Sequence, residues 1–289
     1  MPLVTIVTPS FNGARYLEAC IRSVQAQTYA PIEHIIMDGA STDDTAALVA
    51  RYPHVVFHSA PDEGMYDALN RGLERARGAI VATLNTDDAY EPGAIAAVVE
   101  LFAKHPGADV VFGDAVFVDE HDIPAYTYRG LPYSWRRYVS MGASSLVTPA
   151  VFWRRSLHER LGFFDTSYRM GADFEFFSRF KGLEVRHLGR ILVRFRLHAQ
   201  ALSYRQVTRG HQEKRRVLSG LGFRDDPLRR ALEHAARFVF LLVCFRPPLV
   251  MVTRGLRRLV TTQVGTRLRP ASDAPPAPPS TGGDPDPVS

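Results

Sequence analysis

The sequence predicts an α/β protein: a mostly parallel, Rossmann-like sheet flanked by helices, with a helical C-terminal extension. Three observations point there. Short apolar runs recur at 4–8, 32–37, 55–58 and 79–84; segments of helical spacing separate them; and turn-forming or acidic residues gather where each run ends. Strand and helix in alternation, joined by tight loops, call for parallel strands covered on both sides.

The elements follow in order. Val4 to Thr8 forms the first strand, Pro9-Ser10-Phe11-Asn12-Gly13 carries turn chemistry, and Leu17, Cys20, Ile21 and Val24 then repeat at helical spacing. This loop lacks both the Gly-x-Gly-x-x-Gly of dinucleotide binders and the Gly-Lys-Ser/Thr of phosphate loops, which argues against a dehydrogenase or an NTPase. The second strand, Ile32 to Met37, ends at Asp38; Ser41 with Asp44 resembles a capping box opening a helix through Arg51. Asp38, directly after the strand, either accepts a hydrogen bond from a base ring or fixes the turn. The third strand, Val55 to His58, leads through Pro61-Asp62-Glu63-Gly64 into a helix with Leu69, Leu73 and Ala76 on one face.

The fourth run, Ala79 to Leu84, is followed by Asn85-Thr86-Asp87-Asp88. In open α/β sheets, ligands bind beyond the carboxyl ends of the strands, so the sheet delivers two adjacent carboxylates to a pocket. Like charges repel, and a hard divalent cation with oxygen ligands holds both ionised; the alternative is a solvated pair at the N-terminus of the helix Gly93 to Lys104, opened by Pro92. Strand patterns at Asp109 to Phe112, Ala115 to Val118, Val185 to Leu188 and Ile191 to Phe195 complete the sheet. Between them, Tyr126, Tyr128, Tyr133, Trp135 and Tyr138 with Arg129, Arg136, Arg137 and Arg154 suit either an acceptor groove or a packed loop.

A chain of 289 residues, 46% hydrophobic, holds enough apolar side chains for a sizeable core. Its two cysteines, Cys20 and Cys244, lie far apart in apolar patterns and read as packing residues of a reducing compartment, not as a disulfide frame or a zinc site. The N-terminus runs straight into strand pattern, so a cytoplasmic location is expected. The net charge of +5 hides an asymmetry: acidic residues slightly outnumber basic ones over 1–204, whereas 205–269 holds 15 Lys or Arg against 4 Asp or Glu. A basic stretch of that kind suits nucleic acid or an anionic membrane surface.

Four motifs in order make the chain resemble glycosyltransferase family 2, the inverting enzymes with the GT-A fold. They are Thr-Ile-Val-Thr-Pro-Ser-Phe-Asn at 5–12, Asp38-Gly39-Ala40-Ser41-Thr42-Asp43, Pro61-Asp62-x-Gly64-x-Tyr66-Asp67-Ala68-x-Asn70-x-Gly72, and Leu84-Asn85-Thr86-Asp87-Asp88. The resemblance covers roughly residues 3–200. It implies that Pro9, Ser10, Asn12, Asp38 and Asp62 line a nucleotide pocket, that Asp87 binds Mn²⁺ or Mg²⁺ in the family's Asp-x-Asp motif, and that Asp88 matches the acidic residue beside it. Asn85 stands where that motif usually has its first Asp; its amide can still bond a ribose hydroxyl, with one negative charge fewer for the metal. Asp173, in Gly171-Ala172-Asp173-Phe174-Glu175, stands at the family's catalytic base, with an N-cap role as the alternative; Glu175 reads as a solvated or ion-paired side chain. Arg196-x-His198 is similar to the closing motif, which implies both residues at the diphosphate leaving group and His198 at the metal.

Beyond Ser203 the resemblance fades. Residues 204–221 and 226–246 carry helical pattern, and the apolar pieces around Phe238 to Phe245 and Leu249 to Val252 fall short of the roughly 20 residues a bilayer span needs. Flanking arginines suit an interfacial anchor over 228–260, against a helix buried on the catalytic domain. The expected division is therefore a catalytic domain over 1–203, a basic amphipathic extension over 204–269 and a disordered Pro-rich tail over 270–289. The function so implied is transfer from a nucleotide sugar, UDP-linked, to a saccharide or lipid-linked acceptor in cell-surface polysaccharide assembly, with no nucleic-acid partner. Competing readings are a nucleotidyltransferase, disfavoured because Pro9 to Gly13 has no basic residue, and a non-catalytic glycan-binding relative, disfavoured by the presence of both Asp87 and Asp173.

Overall fold

Strands β1 (Val4–Ser10), β2 (Ile32–Asp38), β3 (Val55–Ser59) and β4 (Ile80–Thr83) lie parallel in the order β3-β2-β1-β4, linked by helices α1 (Ala14–Gln25), α2 (Thr45–Val49) and α3 (Met65–Arg75). The computed structural model describes residues 1–141, 146–223 and 245–246. Next come β5 (Ala89–Tyr90), α4 (Ala94–Lys104), β6 (Val110–Val118), β7 (Pro124–Tyr128), α5 (Trp135–Met141), a 3₁₀ turn Thr148–Ala150 and β8 (Val151–Arg154). The remainder is α6 (Leu157–Leu161), α7 (Ala172–Ser178), β9 (Val185–Arg196), α8 (Leu202–Arg205), α9 (Val207–Gly220) and β10 (Phe245–Arg246). All of these belong to one unit, Met1–Pro247.

The parallel half of the sheet matches the sequence expectation. Its other half is mixed: β8 sits antiparallel between β4 and β6, β7 and β10 continue antiparallel beyond β6, and β9 pairs parallel with β6 and antiparallel with β5. Alternation within strands divides the core between the two faces. Val7, Val110, Phe112 and Trp153 point to one cluster with Leu69, Leu73 and the phenylalanines of α7, while Ile6, Val111 and Phe152 point to the other with Cys20, Ile95 and Phe102. Gly72 lets α3 rest directly on β1, since a Cβ there would stand 2.3 Å from Cγ1 of Val7.

Several local expectations change. The strand patterns at 109–112 and 115–118 are one strand, as are those at 185–188 and 191–195, with register shifts where Gly113 and Asp114 face β9. Ser41 does not cap α2, because Asp38 takes its hydroxyl and N–H; α2 begins only at Thr45, whose N–H and hydroxyl are held by Asp43. Most of the aromatic segment is core: Tyr138 is fully buried, Trp135 donates to the Ser178 carbonyl, and Tyr126 stacks on Phe117.

No described helix is long and apolar enough to cross a membrane. Apart from β10, the expected anchor over 228–260 lies outside the described residues, as do Cys244 and the tail over 270–289. Helix α9, which the sequence reading assigns to the extension, is joined to the 169–171 segment through Glu213.

Candidate active site

The loops after β1 and β2 are stitched together. Asn12, at φ +49°, donates its N–H to the Ser41 hydroxyl over 2.7 Å and accepts the Thr42 N–H on Oδ1 over 2.9 Å. Asn tolerates that left-handed conformation better than most residues because its short amide bonds locally. Asp43 joins the same junction, accepting the first N–H of α1 from Ala14 over 3.1 Å. Asp38 is buried, its carboxylate taking the Ser41 hydroxyl at 2.5 Å, the Ser41 N–H at 2.9 Å and the Ser59 hydroxyl at 2.7 Å. The turn-fixing alternative for Asp38 is thus realised in its hydrogen bonds. Asp62 accepts the Gly64 N–H at 2.7 Å and crosses Gly39 so closely that a Cβ there would meet its Oδ2 at 2.6 Å. A cleft of about 300 Å³ opens at this edge, lined by Asp38, His58, Asp62, Arg71 and Arg75 among others. Ser10, at the end of β1, is buried with an Oγ that has no partner among the described residues.

The segment after β4 meets the end of β9. His198 Nε2 stands 2.9 Å from Oδ2 of Asp87, joining residues 111 positions apart. Asp88 goes elsewhere: it is buried, with Oδ1 accepting the Arg196 N–H at 3.0 Å and Oδ2 the Asn85 amide at 3.1 Å. Burial, then the charge of Asp87, push its carboxyl well above the usual carboxylate range. The Arg196 N–H and the Asn85 amide offset only part of this. The Arg196 guanidinium donates to the Asp87 carbonyl (3.1 Å), the Asp119 carbonyl (3.1 Å) and Oδ1 of Asp122 (3.1 Å). Both Arg196 and His198 lie against the Tyr16 ring, each 5.0 Å from its centroid. Gly13 brings this cluster to the first, because a Cβ there would lie 3.1 Å from both the Ser10 hydroxyl and Cγ2 of Thr86.

Among the described residues, no group of three or more His, Cys, Asp or Glu side chains is placed to hold a metal ion by itself. Asp87 and His198 still fit a divalent cation: an oxygen and a ring nitrogen converge, and His198 Nδ1 is buried with no partner among the described residues. Mg²⁺ and related ions commonly take one or two protein ligands and complete their shell with phosphate oxygens and water.

Asp173 lies in the first turn of α7; the N-cap is Gly171, so Asp173 is not the cap. Its Oδ2 accepts the Thr148 hydroxyl and its Oδ1 the Phe174 N–H, each over 2.7 Å. Tyr66, buried on α3, adjoins it: burial and then the negative charge of Asp173 push the Tyr66 hydroxyl well above its ordinary value. Glu175 is ion-paired with Arg179 on the same helix, as expected.

Residues 5–162 agree with a known family. A model described as glycosyl transferase family 2 matches residues 5–162. The chain belongs to that family. The matched span contains the nucleotide-pocket candidates and Asp87, and stops short of Asp173, Arg196 and His198. A PGL/p-HBAD biosynthesis glycosyltransferase of Mycobacterium tuberculosis is 29% identical over 185 residues, 61% of this chain and 68% of that one. An uncharacterized glycosyltransferase of Mycobacterium tuberculosis is 32% identical over 183 residues, 62% of this chain and 68% of that one. Among solved structures, S. aureus TarS 1-349 in complex with UDP superposes with TM-score 0.56 at 17% identity, covering 82% of this chain and 70% of that one. A mannosyltransferase of Pyrobaculum calidifontis in complex with GDP-Man and Mn²⁺ gives TM-score 0.55 at 18% identity, over 83% and 70%. This chain spans 60% of the length of another TarS 1-349 structure. These likenesses establish a GT-A glycosyltransferase fold, and the family makes the protein a glycosyltransferase.

Sequence reasoning missed Tyr16, Thr148 and Glu213 as members of this site. Thr148 directly precedes Pro149, and Tyr66 lies in the motif Pro61 to Gly72. Tyr16 and Glu213 carry no local signal: each is an ordinary residue on a helix whose neighbours come from distant strands and loops.

Proposed function

We propose that this chain transfers a sugar, with inversion, from a nucleotide-sugar donor, UDP-linked, to a hydroxyl of a saccharide or lipid-linked acceptor in cell-surface glycan assembly on the cytoplasmic side of a membrane. The observation that carries this reading is the meeting of Asp87 and His198 where β4 and β9 end, next to the stitched loops after β1 and β2. Pro9, Ser10, Asn12, Asp38, Asp62 and Asn85 line the nucleoside side. Asp87 and His198 hold Mn²⁺ or Mg²⁺, with Asp88 contributing from behind as the buried anchor of Arg196. The cation, when bound, supplies positive charge against the departing diphosphate.

Asp173 performs the proton transfer. Its carboxylate takes the acceptor hydroxyl proton while that oxygen forms a bond to the anomeric carbon and the bond from that carbon to the diphosphate oxygen breaks. Attack from the face opposite the leaving group inverts the configuration. Thr148 orients the carboxylate by donating to Oδ2. His198 adjoins the leaving group, whereas Arg196, which the family resemblance also puts there, serves the site by holding the Asp87 carbonyl. Support comes from TarS, solved in complex with UDP-GlcNAc, and from the Pyrobaculum enzyme, solved in complex with GDP-Man and Mn²⁺.

The test is release of nucleoside diphosphate from a panel of UDP-sugars and GDP-mannose with Mn²⁺. Turnover with a UDP-sugar that chelator abolishes, and that falls roughly 100-fold or more in Asp87→Ala, is the expected result. Metal-independent glycan binding without turnover of any nucleotide sugar would replace the transferase by a binding module.

A further inference from the structure

One buried carboxylate near Asp173, that of Glu213, takes no part in the proton transfer. Glu213 on α9 is 8% exposed, and its carboxylate accepts three successive main-chain N–H groups: Arg169 on Oε1 at 3.1 Å, and Met170 and Gly171 on Oε2 at 2.7 and 2.9 Å. Oε1 also receives Arg209 Nε at 2.9 Å from the solvent side. Burial opposes its ionised form, yet the N–H groups and Arg209 more than offset this and hold the carboxyl below its usual range. A carboxylate that accepts from consecutive N–H groups fixes the backbone that presents them.

That backbone leads directly to the proposed base. Gly171 is the N-cap of α7, and Asp173 follows two residues later. The contact is close: a Cβ on Gly171 would lie 3.2 Å from the Glu213 Cβ. The same clasp sets Arg169, whose Nη1 covers Gly64 so tightly that a Cβ there would stand 2.8 Å away. Glu213 thus grips one short segment that carries Asp173 on its C-terminal side and touches the Asp62–Gly64 loop through Arg169. Its charge also reaches Tyr66, the neighbour of Asp173.

We propose that Glu213 is a positioning residue for Asp173: helix α9 reaches back onto the catalytic unit and, through this carboxylate, sets where the base stands relative to the acceptor hydroxyl. The inference rests on Asp173 being the base. A displacement of about 1 Å at a reacting group is enough to cost on the order of 100-fold in rate, so a clasp on the preceding residues controls turnover without touching substrate.

Glu213→Gln keeps the shape but replaces one acceptor oxygen with an NH₂ group that confronts N–H donors. Hydrogen exchange across 165–175, hydrolysis of UDP-GlcNAc and GDP-mannose with Mn²⁺, and UDP and GDP binding by calorimetry are measured on the full chain. Expected are roughly tenfold faster exchange at 169–171 and a kcat lower by about tenfold or more, with donor KM and nucleotide Kd within about twofold of wild type. Unchanged exchange overturns the clasp; faster exchange with unchanged kcat overturns its role in positioning; loss of nucleotide affinity together with kcat shows a merely structural residue and overturns it as well. If the Gln variant does not fold by circular dichroism, Glu213→Asp, which keeps the charge and shortens the reach, is judged by the same criteria. A wild-type protein that turns over no nucleotide sugar removes the transferase reading itself, and is distinguished from failure of this proposal by the wild-type control alone.

Discussion

Around Asp87 the supporting groups come from the ends of β4 and β9: Asp88 accepts the Arg196 N–H, the Arg196 guanidinium donates to the Asp87 carbonyl, and His198 Nε2 meets the Asp87 carboxylate. Around Asp173 they are mostly neutral and drawn from turns and helices: the Thr148 hydroxyl, the Phe174 N–H and the Tyr66 hydroxyl, with the one charge, Glu213, acting a step behind. Sheet hydrogen bonding is long-range and rigid, so the donor side is built into the fold. The acceptor side hangs on helix ends and a single clasp. The two halves of one reaction are therefore placed by different physics, and each can be broken separately.

The largest expected effect is at the base. Asp173→Asn keeps the side-chain shape but cannot accept a proton; turnover should fall roughly 10²- to 10⁴-fold, with nucleotide affinity unchanged by calorimetry. Normal turnover in that variant would remove Asp173 from the chemistry. On the other side, Arg196→Met leaves the Asp87 and Asp119 carbonyls without their donor and removes a positive charge near Asp88. A loss of roughly 3–5 kcal/mol in urea unfolding is expected, together with weakened nucleotide binding. A loss confined to turnover, with stability intact, would show that Arg196 meets the leaving group directly.

The smallest effect concerns pH and the parallel half of the sheet. His34 on β2 is buried against Thr8, and burial, then the charge of His54, depress its pKa to about 3. The folded chain keeps this ring neutral while the unfolded chain protonates it near pH 6.5, so protons favour unfolding as pH falls from 6.5 towards 3. From pH 7 to 5 this group should remove about 2 kcal/mol of stability, a slope that His34→Gln flattens in urea titrations at the two pH values. An equal slope in both proteins would mean that the ring is not held neutral.

Much of the parallel half of the sheet is legible in the sequence. The parallel strands β1 to β4 follow from apolar runs and turn residues close together in the chain, and the family resemblance singles out Asp87, Asp173 and His198, of which the structure brings Asp87 and His198 together. The antiparallel insertion of β8 between β4 and β6 was not readable, because its pattern, Val151-Phe152-Trp153-Arg154, is apolar whichever neighbour it takes. Nor could the chain reveal that Asp87 and Asp88, identical and adjacent, part company: one faces His198 and the other is buried under Arg196. Ser41 followed by Asp44 looked like a capping box because local spacing was all there was to judge by; Asp38 outcompeted the helix for its hydroxyl.

The amino-acid sequence by itself determined the order of strand, turn and helix through β4, since periodicity and turn chemistry act within a few residues. It also determined the stock of carboxylates at the strand ends. Tertiary structure alone decided which of them are buried, which partner each one meets across as many as 111 positions, and that a glutamate on α9 reaches back to the segment before Asp173. Hydrogen bonds and desolvation depend on direction and distance, and no local pattern in the chain encodes either between distant residues.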